Sequence, residues 1–175
     1  MLNMALIKYG RVNKVSFFHL SILGLLLVLG LSWSEGAEPP PSKEKIAYWR
    51  KSADSGDSNS MVMMGVIYRD GWGIKKDSEK AVSWFNRAAI KGNGTAAVQL
   101  SKMLMRGREI EKDNVLAYMW MIIASVKGMR ESEEILAELD KKLTDAQRYR
   151  SVYLMHILLK QYPEILVVEG TEPMV

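Results

Sequence analysis

The stretch Met64–Gly92, MGVIYRDGWGIKKDSEKAVSWFNRAAIKG, decides the fold, because its glycines and its apolar residues follow two different spacings. Gly71 and Gly73 interrupt the chain within DGWGIKKD, where glycine supplies a turn. After them Ala81, Trp84, Phe85, Ala88 and Ala89 recur at three- and four-residue steps, the stripe of an amphipathic helix. Asp77 stands at an N-cap position and Gly92 at the C′ position, so the spacing predicts a helix over 78–91. Before the turn, residues 60, 64, 65 and 68 share one face of a helix over 58–69. There Ser60 and Gly65 admit a close neighbour, while Met64 and Tyr68 supply bulk.

The same unit recurs 36 residues on: Gly71 returns as Gly107, Asp77 as Asp113, Ala81 as Ala117, Trp84 as Trp120, Ala88 as Ala124 and Gly92 as Gly128. Elsewhere size is kept without identity, as at Ser60/Ala96, Met64/Leu100, Gly65/Ser101 and Tyr68/Leu104, which is the mark of a packing constraint. A second pair of helices is thus expected over 94–106 and 114–127. Stepping back instead reaches Tyr48, Ser52 and Gly56, the end of a preceding copy.

These residues resemble the Sel1-like repeat, a relative of the tetratricopeptide repeat. Gly65, Tyr68, Gly71, Gly73, Asp77, Lys80, Ala81, Trp84, Ala88, Ala89 and Gly92 fill its pattern; the second copy departs from it at Ser101, Leu104 and Glu109. The resemblance covers 46–128, divided as 46–56, 57–92 and 93–128, and implies an all-α fold, a short α-solenoid of helix–turn–helix repeats. It gives Gly65, Tyr68, Gly71, Gly73, Ala81, Trp84, Ala88, Gly92, Gly107, Ala117, Trp120, Ala124 and Gly128 structural roles in turns and interhelical packing. Some secreted members close each repeat with a disulfide and are linked to penicillin binding or weak hydrolysis. This chain has no cysteine, so that activity is not carried over.

Beyond Gly128 the repeat stops matching. Ile135, Leu136, Leu139 and Leu143 share one face of a helix expected over 130–143. Thr144 and Gln147 then form a capping box for a second helix reaching about Tyr162. This pair, 129–162, is expected to cover the last repeat as a C-terminal helical cap. Pro163 ends the helix, and 163–175 is expected as a flexible tail whose ILVV run could dock on the domain or on a partner. His156 has no second ligand at metal spacing and is read as a packing or surface residue.

The N-terminus looks like an address. Lys8, Arg11 and Lys14 precede an uncharged run, Val15–Leu31, with small residues after it at Ser32, Ser34 and Gly36. Residues 1–37 are therefore expected to be a signal peptide, cleaved near Ser34–Ala37, or an inner-membrane anchor through 15–31, with the rest periplasmic or secreted. His19 is a tolerated polar residue in that leader. A proline-rich linker, 38–45, comes next. Without the leader the chain holds 21 basic against 19 acidic side chains, which argues against nucleic acid as a partner.

No metal, phosphate-loop or nucleophilic motif is present, so neither a cofactor nor an enzyme activity is expected. The absence of cysteine also removes thiolate chemistry, Cys-ligated zinc and a lipidated anchor. The expected function is binding of a protein or peptide in a groove along the first helix of each unit. Residues facing away from the predicted core are Asn59, Val62, Met63, Val66 and Asp70 in one unit and Thr95, Val98, Gln99, Lys102 and Arg106 in the next. They describe a groove apolar at one end and basic at the other, suited to an amphipathic or acidic peptide. The equal alternative is that Val62, Met63 and Val66 are covered by a neighbouring helix or the tail. A cell-wall glycan or muropeptide is the second expectation, with Trp72 as the ring placed to stack on a sugar; its plainer reading is a turn residue folded over the repeat edge. A structural assembly factor at the membrane is a third.

Overall fold

A computed structural model describes residues 40–167, which are helical from Lys43 to Leu166 apart from short turns. The expected leader over 1–37, with His19, and the last residues of the tail lie outside the described residues. Among the described residues seven helices succeed one another: α1 Lys43–Asp54, α2 Ser58–Asp70, α3 Ser78–Ile90, α4 Gly94–Arg106, α5 Asn114–Val126, α6 Ser132–Asp140 and α7 Asp145–Gln161. A 3-10 turn, Pro163–Leu166, completes the order. The chain is all-α, a short repeat solenoid in which α2 packs on α3 and α4 on α5, with α1 against α2 and α3 against α4.

Helices α2 to α5 start and stop on residues that recur at the 36-residue offset. The side chains of Asp57 and Asn93 accept from the backbone N–H groups of Ser60 and Ala96, and those of Asp77 and Asp113 from Lys80 and Leu116. Each cap satisfies a donor that the first helical turn leaves open. The closing bonds form a threefold series: Asp57, Asn93 and Met129 donate to the carbonyls of Ser52, Ala88 and Ala124 at 3.1, 3.1 and 3.0 Å. Gly56, Gly92 and Gly128, all at positive φ, make the companion bonds to Ala53, Ala89 and Ser125, a Schellman ending written three times. The turn between paired helices repeats as well, with Asp77 N–H on the Tyr68 carbonyl and Asp113 N–H on that of Leu104.

The core runs through the middle of this stack. Phe85, Met61, Met64, Ile67, Leu100, Met121 and Ile123 are fully buried, and buried alanines at 81, 88, 89, 96, 97, 117 and 124 set the close helix crossings. Trp120 is buried, whereas Trp84 is half-buried, packs on the core and carries the Arg87 guanidinium 4.1 Å from its ring centre.

Three boundaries differ from expectation. Helix α1 begins at Lys43, inside the stretch expected as linker, because the Ser42 hydroxyl accepts from Lys45 N–H and caps it. Helix α6 is shorter than 130–143: Arg148 of α7 takes the Asp140 and Leu143 carbonyls at 2.8 Å each, so the chain turns there while Leu139 and Leu143 remain buried. The tail is not loose at its start. Ile165 is fully buried, the 3-10 turn packs on α3, α5 and α7, and Lys127 Nζ donates to the Val167 carbonyl. Gly92 admits this strap, since a Cβ there would stand 3.0 Å from the Ile165 carbonyl oxygen and 3.1 Å from that of Glu164.

The capping box is as expected, with Thr144 and Gln147 bonded reciprocally at the start of α7. Helices α6 and α7 both pack on α5, with little direct contact between them. Together they cover the end of the second repeat.

Candidate functional site

The expected groove follows α2 and α4, and the structure divides its residues. Asn59, Asp70, Thr95 and Arg106 are exposed, while Met63, Gln99 and Lys102 are half-buried. Val62 and Val66 are half-buried and pack against the core. Val98 was expected to face outward and is instead fully buried, a correction with a simple cause: α4 has neighbours on more of its circumference than one apolar stripe requires.

Polar side chains tie the first helices of successive units together. Asn93 Nδ2 donates to Asn59 Oδ1 at 2.9 Å and to the Ser58 hydroxyl at 3.2 Å. At the other end of α2, the Arg69 guanidinium donates twice to the Asp70 carboxylate, at 2.7 Å each, and to Gln99 Oε1 at 2.6 Å. Lys102 pairs with Glu131, the residue before α6. Lys76 pairs with Glu109, which also accepts from the Ser78 hydroxyl; those two contacts hold the Glu109 carboxyl below the usual carboxylate range.

Two clefts open on this side. One, of about 220 Å³, lies between the turn after α2 and the turn after α4, floored by Met103 and Ile110 and edged by Arg69, Lys76, Arg106 and Arg108 together with the carboxylates of Asp70 and Glu109. The other, of about 290 Å³, lies between α4 and α6, with Met105 and Ile135 beside Lys102, Arg106 and Lys142. Arg106 borders both. Glu138 and Lys142 in the second cleft pair with each other, and the ammonium of Lys142 holds the Glu138 carboxyl down. Sequence reasoning placed Lys102 and Arg106 in the groove but did not name the turn residues Lys76, Arg108 and Ile110, whose approach depends on how two repeats stack.

Trp72 stands 41% exposed on the turn after α2, and His156 lies exposed on α7. Among the described residues no group of three or more His, Cys, Asp or Glu side chains converges as a metal site would.

Three segments of the chain, 46–57, 58–93 and 94–128, match the Sel1 repeat. The chain is a Sel1 repeat family protein. Its family is one of interaction scaffolds, typically non-catalytic. Among solved structures, it is similar to c5321, a protective antigen present in uropathogenic Escherichia coli strains displaying an SLR fold. The two are 25% identical with a TM-score of 0.67, over 93% of this chain and 38% of that one. A Sel1 repeat protein from Oxalobacter formigenes is 26% identical with a TM-score of 0.55, over 80% of this chain and 56% of that one. This Sel1 repeat protein thus spans well under two thirds of either relative. No curated protein matches it.

Proposed function

We propose that this Sel1 repeat protein is a scaffold that holds a segment of a partner protein against α2, α4 and α6, with acidic side chains of that segment meeting Arg106. The observation that carries this reading is the state of Arg106. It is exposed, forms no ion pair or side-chain hydrogen bond among the described residues, and stands between two clefts with apolar floors. Its neighbours are already engaged, Arg69 with Asp70, Lys76 with Glu109 and Lys102 with Glu131. A guanidinium offers a planar pair of donors that fits a carboxylate, and apolar floors on either side suit an amphipathic segment. Export by residues 1–37 belongs to the same reading and would place the scaffold in the periplasm or outside the cell.

A second reading, a cell-wall glycan stacked on an aromatic ring, rests on the exposure of Trp72. One experiment separates the two. A photoreactive residue replaces Met63 in otherwise native protein, and adducts are identified from intact cells. The scaffold reading expects a protein adduct that Arg106→Glu abolishes and Trp72→Ala leaves in place. Arg106→Glu should change stability by no more than about 0.5 kcal/mol, since the side chain is exposed. An adduct indifferent to Arg106→Glu, or glycan captured only when Trp72 is present, would overturn it.

A further inference from the structure

Helix α7, the last helix among the described residues, presents an apolar face to solvent. Helix α7 buries Ser151 and half-buries Leu154, Met155, Leu158 and Leu159 on the side that meets α5. Its opposite side exposes Tyr149 by 78%, Val152 by 47%, Tyr153 by 64% and Ile157 by 45%. Tyr149, Tyr153 and Ile157 succeed one another at four-residue steps, so they form a ridge of the kind that fits between the ridges of another helix. A terminal helix of a repeat stack ordinarily turns a polar face outward, because no further layer covers it. Helix α7, though last among the described residues, is built as an internal one, with side chains for a neighbour on both sides.

The charges say what kind of neighbour. Between Ala146 and Gln161 the helix carries Arg148, Arg150 and Lys160 and no acid. Asp145, on the first turn, is already paired with Arg148, leaving Arg150 and Lys160 exposed along the ridge. A second copy of the same face would set these cations against their own kind. The ridge is two turns long and stands on a helix already seated side-on in a stack, which is the geometry of helix-on-helix packing.

We infer that the outer face of α7 is a second docking surface, distinct from the cleft at Arg106, and that its partner is an acidic amphipathic helix of another protein. The helix lies along the Tyr149–Tyr153–Ile157 ridge as the next layer of the solenoid, with its carboxylates at Arg150 and Lys160.

The test uses the full chain and two fluorescein-labelled 18-residue synthetic helices, with leucine on one face and either glutamate or lysine on the flanks. Fluorescence anisotropy should show the glutamate helix binding at least tenfold more tightly than the lysine helix. Arg150→Glu with Lys160→Glu should remove that preference, and Tyr149→Ser with Tyr153→Ser should weaken the glutamate helix at least tenfold. Circular dichroism and melting of both variants should match the wild type, since every changed side chain is exposed. Arg106→Glu, which disrupts the other surface, should leave this binding intact. Equal affinity for the two helices would overturn the inference. So would association with phosphatidylglycerol vesicles, or dimerisation of the chain, that depends on Tyr149 and Tyr153 while neither helix binds.

Discussion

A methyl group built on Gly65 would stand 2.5–2.8 Å from three atoms of the Phe85 ring, so α2 and α3 cross at a distance that leaves no room for a side chain. The second repeat solves the same crossing differently. Ser101 replaces the glycine and Met121 the phenylalanine, and the Ser101 hydroxyl, fully buried, donates to the Ala117 carbonyl at 2.7 Å. Flexible methionine yields the volume that a rigid ring occupies. Gly65→Ala should therefore cost about 1–3 kcal/mol through overpacking, despite the better helix propensity of alanine. Adding Phe85→Met should recover most of that loss; strict additivity in urea unfolding would show that the two positions do not share space. The caps make a prediction in pH. The Ser60 hydroxyl and N–H hold the Asp57 carboxyl below its ordinary range, and the Lys80 N–H and ammonium do the same for Asp77. A carboxyl depressed by folding contributes stability above its unfolded pKa and loses it as pH falls through the folded value. Stability should thus fall below about pH 4. Asp57→Asn keeps the acceptor, as Asn93 does one repeat on, so the variant should match wild type at pH 7 and lose less stability on going to pH 3. Identical acid limbs would rule the Asp57 contribution out. The glycine and the caps were legible in sequence because their roles depend on spacing within one helix or turn. That Phe85 is what forbids a side chain at Gly65 was not, because it depends on where a ring from another helix comes to rest.

Helices in this chain were readable as far as their stop signals were local. The three Schellman endings and the four caps of α2 to α5 are encoded within a few residues each, and the bounds of those helices fell within one residue of expectation. Where a distant group supplies the stop, sequence periodicity overran. The pattern of Ile135, Leu136, Leu139 and Leu143 continues to residue 143, yet α6 ends at Asp140 because Arg148 takes the freed carbonyls. The strap after Pro163 shows the same limit in reverse. Nothing periodic marks Ile165, and its burial depends on the bare Cα of Gly92, more than 70 residues earlier. If this turn is part of the fold, Ile165→Ala should destabilise the protein by about 2–5 kcal/mol, as removal of a fully buried isoleucine does. Calorimetry of the variant decides this, and a melting temperature equal to wild type would mean that the strap lies on the surface without supporting it. Val167, exposed two residues on, serves as the control: Val167→Ala should change stability by no more than about 0.5 kcal/mol.

At the scale of the molecule, the described residues pack mainly as contacts between neighbouring layers, α1 on α2 through to α7 and the strap on α5. Such a chain can spend its outward faces on partners, since few outward side chains are needed for the core. The repeated helix pairs were legible from the 36-residue periodicity and their stacking from the resemblance to the Sel1-like repeat, whereas the exposure of individual groove residues was not. Exposure on a helix within a stack is set by the layers on either side, which is why Val98 was misplaced and the clefts beside Arg106 were not foreseen. On the export proposed above, residues 1–37 would set where these surfaces meet their partners. Lys8, Arg11 and Lys14 stand before the uncharged Val15–Leu31 run, and a charge asymmetry of this sign in general favours a cytoplasmic N-terminus with the downstream chain across the membrane. Fusing residues 1–45 to alkaline phosphatase, which is active only outside the cytoplasm, should therefore give active enzyme. Lys8→Glu with Arg11→Glu and Lys14→Glu should lower that activity severalfold without changing the amount of fusion protein made. The apolar run is 17 residues, long enough to start transfer and about the least that spans a bilayer, so the mass of the mature chain distinguishes two fates. A fragment beginning between Glu35 and Glu38 marks a cleaved leader and a soluble scaffold, while full length in the membrane fraction marks an anchor. An inactive fusion in which the charge reversal changes nothing would place both docking surfaces, and every partner proposed for them, on the cytoplasmic side instead.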